Sequence, residues 1–160
     1  MALLEKKVRT CLWFQKGGVE AAKFYVSLLP DSRIDGVMDH GNVADPMVVE
    51  FTLAGAPMMI LTGGPHYTQT PAVSISVLTK DQKETDRLWN ALLAGGGEES
   101  MCGWLADKYG VSWQIIPEAM VKRFADPDRA AAGRARDAML KMRKIDLAAI
   151  EAAFAAEGAK

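Results

Sequence analysis

The sequence predicts an α+β fold: two tandem β-α-β-β-β modules forming a curled mixed sheet with a concave face, followed by C-terminal helices. Three observations predict it. The stretch "EAAKFYVSLL" (Glu20 to Leu29) and the later "ETDRLWNALL" (Glu84 to Leu93) are one amphipathic helix written twice, at a constant offset of 64 positions. Phe24 lies over Leu88, Tyr25 over Trp89, and Leu28-Leu29 over Leu92-Leu93. A hairpin then repeats in the same order, turning near Gly55 and again near Gly110, so that Met58-Met59-Ile60 lies over Trp113-Gln114-Ile115. After Pro117 the chain becomes Ala-rich and helical, unlike either half. Helix and hairpin matching in one order mark an internal duplication of a unit too small for a solenoid.

In the first half, "RTCLWF" (Arg9 to Phe14) is a short apolar strand stopped by "QKGG". Helix Val19 to Leu29 follows, with Ala22, Tyr25, Val26 and Leu29 at i, i+3, i+4 and i+7, and "PDS" ends it. "RIDGVMD" reads as a strand before the polar loop "HGNVADP". "MVVEFTL" (Met47 to Leu53) and "MMILT" (Met58 to Thr62) form a hairpin around "AGAP". In the second half, "AVSISVL" (Ala72 to Leu78) alternates as a strand with one buried face. Helix Lys83 to Ala94 ends at Gly95 to Gly97, a C-cap, and "MCGWLADKYGVSWQIIP" gives the second hairpin. In the tail, Asp126 and Asp146 read as N-caps.

A chain of 160 residues buries roughly two thirds of its unfolded surface, enough for a real core. The net charge of −1 gives no global field toward nucleic acid or an anionic membrane, and "KMRK" (Lys141 to Lys144) reads as a solvated helix face. The apolar run in "MALLEKKVRT" is too short for a signal peptide, and no apolar stretch approaches a bilayer span. Cys11 and Cys102 are not a disulfide framework and suit buried small hydrophobes in a reducing compartment, so the expected location is the cytoplasm.

The segments "CLWF", "EAAKFY", "CGWLADKYGVSWQIIP" and "AMLKMRKIDLAAIEAA" together make the chain similar to the vicinal oxygen chelate superfamily of glyoxalase I, extradiol dioxygenases and bleomycin-resistance proteins. Within it the chain resembles the PhnB-like branch, often labelled 3-demethylubiquinone-9 3-methyltransferase. The likeness implies a glyoxalase-like domain over residues 1–126, built of modules 8–64 and 70–117, with a helical extension over 127–160. It also implies two sheets curled around a shared concave surface where a ligand lies.

Carrying the helix offset into the strands assigns the faces. Val73, Ile75 and Val77, with Cys11 and Trp13 as their counterparts, are expected to face the helices. The concave set is then Thr10, Leu12 and Phe14, with Ala72, Ser74 and Ser76, and Met59, Leu61, Ser112 and Gln114 on the closing strands. In "MVVEFTL", Val48, Glu50 and Thr52 take the concave side, and a carboxylate there is costly unless solvated or bonded. Glu50 is thus the candidate general base or ligand anchor, with the wet rim of the sheet as its alternative. Trp104 and Trp113 read as core, and Trp104 is kept as a candidate lining residue.

Enzymes of the superfamily hold a divalent ion with His and Glu from the first and last strands. The matching positions here are Thr10, Met59 or Ile60, Ala72 and Gln114, and Gln114 alone could coordinate well. His40 and His66 fall in loops, so no metal is expected. Gly17-Gly18 follows a strand and precedes a helix but lacks a third glycine, so no nucleotide-type cofactor, S-adenosylmethionine included, is expected. The expected function is a metal-free protein binding a small organic molecule in a pocket lined by Leu12, Phe14, Met59, Ser74, Ser76 and Gln114. The alternatives are an enzyme using Glu50 as base, the methyltransferase of the label, or an oligomeric scaffold. Met139, Met142, Leu147, Ile150 and Phe154 exceed what a solvated helix needs, so a homodimer is expected through the tail or the edge at Arg9 to Phe14.

Overall fold

Both modules form in the computed structural model, which describes residues 6–156; the apolar run at the extreme N-terminus lies outside the described residues. The first module runs β1 (Thr10–Phe14), α1 (Gly18–Leu28), β2 (Arg33–Met38), β3 (Val48–Leu53) and β4 (Ala56–Thr62). The second runs β5 (Ser74–Thr79), α2 (Gln82–Leu93), β6 (Glu98–Glu99), β7 (Trp104–Ala106) and β8 (Ser112–Pro117). Three helices follow: α3 (Glu118–Phe124), α4 (Arg129–Met139) and α5 (Leu147–Ala155). Each module makes one four-stranded mixed sheet, in the orders β1-β4-β3-β2 and β5-β8-β7-β6. The first and last strands of each pair in parallel, and the other pairs are antiparallel. The chain divides into two compact units after Gln69, and α3–α5 belong to the second.

The two-residue β6 has no apolar alternation to betray it. It exists because Glu98 and Glu99 pair with Ala106 and Leu105, and because the Glu99 carboxylate accepts the Trp89 indole N–H at 3.0 Å. The "DPD" break also resolves differently from expectation. Asp128, not Asp126, caps α4 by accepting the Ala130 and Ala131 amides, while Asp126 accepts the Asp128 amide at 2.9 Å. Pro127 disfavours helix in the residue before it, which pushes the start of α4 beyond Asp126. Asp146 caps α5 as expected, accepting the Ala149 amide.

In the first unit α1 lays Ala21, Ala22, Tyr25 and Leu28 on the sheet, against the fully buried Val49, Phe51 and Ile60. The Tyr25 and Phe51 rings are 6.3 Å apart. In the second, Thr85, Leu88, Trp89 and Leu92 of α2 cover the sheet, and the Thr79 and Thr85 hydroxyls share a buried hydrogen bond of 2.6 Å. Each fully buried side chain of this size is worth roughly 1.5–3 kcal/mol.

The tail helices are fixed to their own unit. Met120, Ala135, Ile145 and Ile150 form a core that Met139, Met142, Leu147 and Phe154 pack around. Of the five apolar residues expected to mark a tail interface, Ile150 is buried in this core, while Met139, Met142, Leu147 and Phe154 are partly buried against it. The Gln82 amide donates to the Ile145 carbonyl and accepts the Leu147 amide, tying α2 to α5. Lys144 meets Asp86 at 2.7 Å; its ammonium, then the Gln82 amide, hold the Asp86 carboxyl below its ordinary value. Among the described residues no helix is long and apolar enough to cross a membrane.

The β7–β8 hairpin hangs on one buried carboxylate. Asp107 accepts the Trp113 indole N–H at 2.9 Å and the Tyr109 and Val111 amides at 2.8 and 3.1 Å. Asp107→Ala leaves these donors unpaired around a buried tryptophan and is expected to destabilise the protein by about 2–4 kcal/mol. Urea denaturation checks this, with the exposed Asp137→Ala expected to stay within about 0.5 kcal/mol of the parent chain.

Candidate binding face of the first sheet

Register decides which side chains share the face opposite α1. Leu12 pairs with Ile60 and Phe14 with Thr62, while Ile60 pairs with Val49. A Cβ on Gly18, at the start of α1, would stand 2.7 Å from Ile60 Cγ2, so Ile60 faces the helix and Leu12 and Phe14 share its side. Both are buried. Thr10, in register with Met58, also belongs to the α1 side and is exposed. The expectation that Thr10, Leu12 and Phe14 face away from the helix is therefore corrected; Cys11 and Trp13 take that face.

The physical reason is one residue. Three residues join β1 to α1, Gln15 to Gly17, but only Lys80 and Asp81 join β5 to α2. Helices offset by 64 positions thus sit on strands offset by 65, which pairs Leu12 with Val77 and Phe14 with Thr79. A slip of one residue exchanges the two faces of a strand. The hairpin match is unaffected, so Met59, Leu61, Val48, Glu50 and Thr52 take the face opposite α1, as expected.

That face reads in rows across the strands. One row holds Trp13, Leu61 and Val48, and the next holds Cys11, Met59 and Glu50. Segment 63–69 folds over Trp13. The Trp13 indole donates to the Gly64 carbonyl at 2.9 Å, the Tyr67 ring meets it edge-on at 4.9 Å, and the His66 ring lies 6.4 Å away. Gly63 is the residue this approach allows, because a Cβ there would fall 2.3 Å from the Trp13 ring.

At the other end lies charge. Glu50 is 5% exposed, and its Oε1 is 3.1 Å from Arg9 Nε. That nitrogen is buried and its N–H is not aimed along the contact, so charge rather than a directed hydrogen bond holds the pair. Arg9 Nη1 donates to the Lys6 carbonyl at 2.9 Å. Beside it, Arg33 pairs with Asp35 at 2.8 Å, and Asp35 accepts the Thr52 hydroxyl at 2.6 Å. A bulge between Ile34 and Gly36 accompanies this arrangement. Lys6, Arg9, Arg33, Asp35 and Glu50, with Phe51, Pro57 and Met58, enclose about 20 Å³, room for about one water. Pairing each carboxylate with a guanidinium is what permits its burial.

On the second sheet, the side opposite α2 carries Ser74, Ser76 and Gln114 in register, with the Gln114 amide donating to Ser74 Oγ at 2.8 Å. Trp104 pairs with Gln114 and is half-buried on that side, whereas Trp113 is buried on the α2 side. Arg9, Cys11, Trp13 and Asp35 are the residues that sequence reasoning left out of the site. The unequal strand-to-helix loops were the signal that could have found Cys11 and Trp13.

The ligand set implied for a divalent ion does not fit. Thr10 is on the wrong face, Ile60 is buried beneath α1, Met59 offers a thioether, and Gln114 a single neutral amide. Hard divalent ions need several oxygen or imidazole donors. Among the described residues no group of three or more His, Cys, Asp or Glu could hold one. The Gly17-Gly18 turn is likewise filled by the protein. The Gly17 amide donates to the Asp45 carboxylate at 3.2 Å, where a cofactor phosphate would need it, and Gly18 closes onto Ile60 and Thr62.

Cys11 is exposed rather than a buried small hydrophobe as expected; the partial burial of its thiol pushes it up, against the Leu61 backbone hydrogen bond and the Arg9 charge, which pull it down. In a Cys102→Ser background, the pH midpoint of Cys11 alkylation is expected above that of a free cysteine. Arg9→Gln is expected to move it higher still, and a midpoint that falls on Arg9 removal contradicts the assignment.

The sequence model of the family described as 3-demethylubiquinone-9 3-methyltransferase matches residues 6–116. A PhnB protein from Bacillus cereus carrying that description is 31% identical, over 70% of this chain and 99% of its own, with a TM-score of 0.63. A protein from Pseudomonas aeruginosa is 23% identical over 71% and 98%, with a TM-score of 0.58. The fosfomycin resistance protein FosX of Mesorhizobium loti, 12% identical over 77% and 99% with a TM-score of 0.54, shares the fold. Among curated proteins, none matches the chain.

Proposed function

Because the chain belongs to the 3-demethylubiquinone-9 3-methyltransferase family, in the vicinal oxygen chelate superfamily, we propose that it binds a small organic molecule without a metal, against the face of the first sheet opposite α1. One observation carries the reading. A buried ion pair, Arg9 with Glu50, sits at the end of an otherwise apolar and aromatic surface of Cys11, Met59, Leu61 and Trp13. Apolar side chains supply area, and the partly exposed Arg9 guanidinium beside Glu50 supplies orientation, which is the usual composition of a ligand site.

The buried Glu50 carboxylate also supports a second reading, in which it removes a proton from a bound carbonyl or aromatic substrate. Arg9, 3.1 Å from its Oε1, holds the carboxylate in place on that face. Methyl transfer, the activity in the family description, is disfavoured with S-adenosylmethionine as donor because, among the described residues, the only strand-to-helix glycine pair is closed by Asp45, Ile60 and Thr62.

A thermal-shift screen of the full chain against metabolites is expected to find ligands that raise the melting temperature, and S-adenosylmethionine is expected to give no saturable heat at micromolar concentration. With such a ligand, Glu50→Gln is expected to hold affinity within about threefold, a change under ~1 kcal/mol. Loss of a measured turnover with binding retained would instead establish Glu50 as a base.

A homodimer completes the proposal. The tail's apolar residues pack partly on their own core, which favours the sheet edge at Arg9 to Phe14, where β1 is the outer strand of its sheet, over the tail helices as the interface. Light scattering is expected to give twice the 17.4 kDa chain mass. A monomer mass at high concentration rejects this assembly.

A further inference from the structure

The helical extension, beyond the family match, holds a cavity of its own. It measures about 270 Å³ and is lined by Phe124 at the end of α3 and by Arg129, Ala132, Gly133 and Arg136 of α4. The α4 positions fall at i, i+3, i+4 and i+7, so they form a single helix face. Arg129 and Arg136 stand at its two ends, about 10 Å apart along the axis.

The neighbouring arginines are committed to the protein. Arg123 makes two hydrogen bonds to Glu151, at 3.0 and 2.9 Å, and lies over the Phe154 ring. Arg134 donates to the Ala153 and Phe154 carbonyls at the end of α5, and Arg143 pairs with Glu99. Arg129 differs. Its Nη1 is anchored to the Phe124 and Asp126 carbonyls at 3.1 and 3.3 Å, which orients the fork without neutralising its charge. Among the described residues Arg136 has only the exposed Asp137 carboxylate as an ion-pair partner, at 4.0 Å.

Gly133 is the second, independent feature. A glycine inside a helix is destabilising relative to alanine and usually answers a close approach or a positive φ. Neither applies here: a Cβ at Gly133 would meet nothing within 4 Å, and its φ is not positive. In a helix otherwise rich in alanine, this residue does one visible thing, which is to leave the middle of the cavity open.

We propose that this cavity binds a small organic dianion, two carboxylate groups joined by a short apolar spacer. Arg129 and Arg136 take the two ends by charge-assisted hydrogen bonds, and Phe124, Ala132 and the open space at Gly133 take the spacer.

Calorimetry on the full chain with hexanedioate tests it, using hexanoate and hexane-1,6-diol as controls. Hexanedioate is expected to bind saturably, hexanoate about tenfold more weakly, and the diol not at all. Arg129→Gln and Arg136→Gln are each expected to weaken hexanedioate about tenfold. Gly133→Leu is expected to abolish binding while the melting temperature holds or rises, since leucine is the better helix former. Absence of hexanedioate binding, equal binding of the diol, or affinity unchanged in any of the three variants overturns the proposal. A lowered melting temperature in Gly133→Leu overturns it too, by showing that packing requires the glycine.

Discussion

Parallel pairing of the first and last strands in each module is the constraint on which the rest depends. Leu12 beside Ile60, and Val77 beside Ile115, bring together the two strands that the helix covers. Strand parity does the rest. Once Leu12 and Phe14 are buried under α1, Cys11 and Trp13 must face the other way, joined by Met59, Leu61 and Glu50 across the sheet. The composition of the candidate binding face is thus a consequence of how α1 is packed, not a separate feature of the sequence.

Electrostatics then sets what that face can hold. Glu50 and Asp35 are both largely shielded from water, and each is matched by a guanidinium, Arg9 and Arg33. Removing one partner of such a pair costs far more than the pair contributes, so its four members constrain one another. The same arithmetic appears at Asp107, which is buried at the centre of a hairpin and satisfied by an indole and two backbone amides. In the first case the charges line a surface; in the second they close a loop. The difference lies in whether the donors come from the local backbone or from long, partly exposed side chains.

The helical extension is organised on another principle. Its apolar residues make a small core among themselves, and Gln82, Lys144 and the amides of Cys102 and Gly103 fasten it to the second module. Apolar periodicity announced helices with faces to bury, and those faces are partly covered within the unit. Whether the burying surface belonged to a neighbour in the same chain or to a second copy could not be read from periodicity, because amphipathic helices look alike in both settings.

The sequence by itself determined the α+β class, the doubled β-α-β-β-β order, both hairpins and the helical tail, since these rest on local periodicity and on turns near Gly55 and Gly110. It also determined that Glu50 shares a face with Met59 and Leu61, because one continuous hairpin fixes that relation. Tertiary structure decided the rest. The face of β1 depended on a single extra residue before α1, the partner of Glu50 came from Arg9 forty-one positions away, and β6 formed only because β7 was there to pair with it. The last two are contacts between groups apart in sequence. Local pattern holds no record of which distant group will occupy the other side of a hydrogen bond or ion pair, and only the folded chain supplies it.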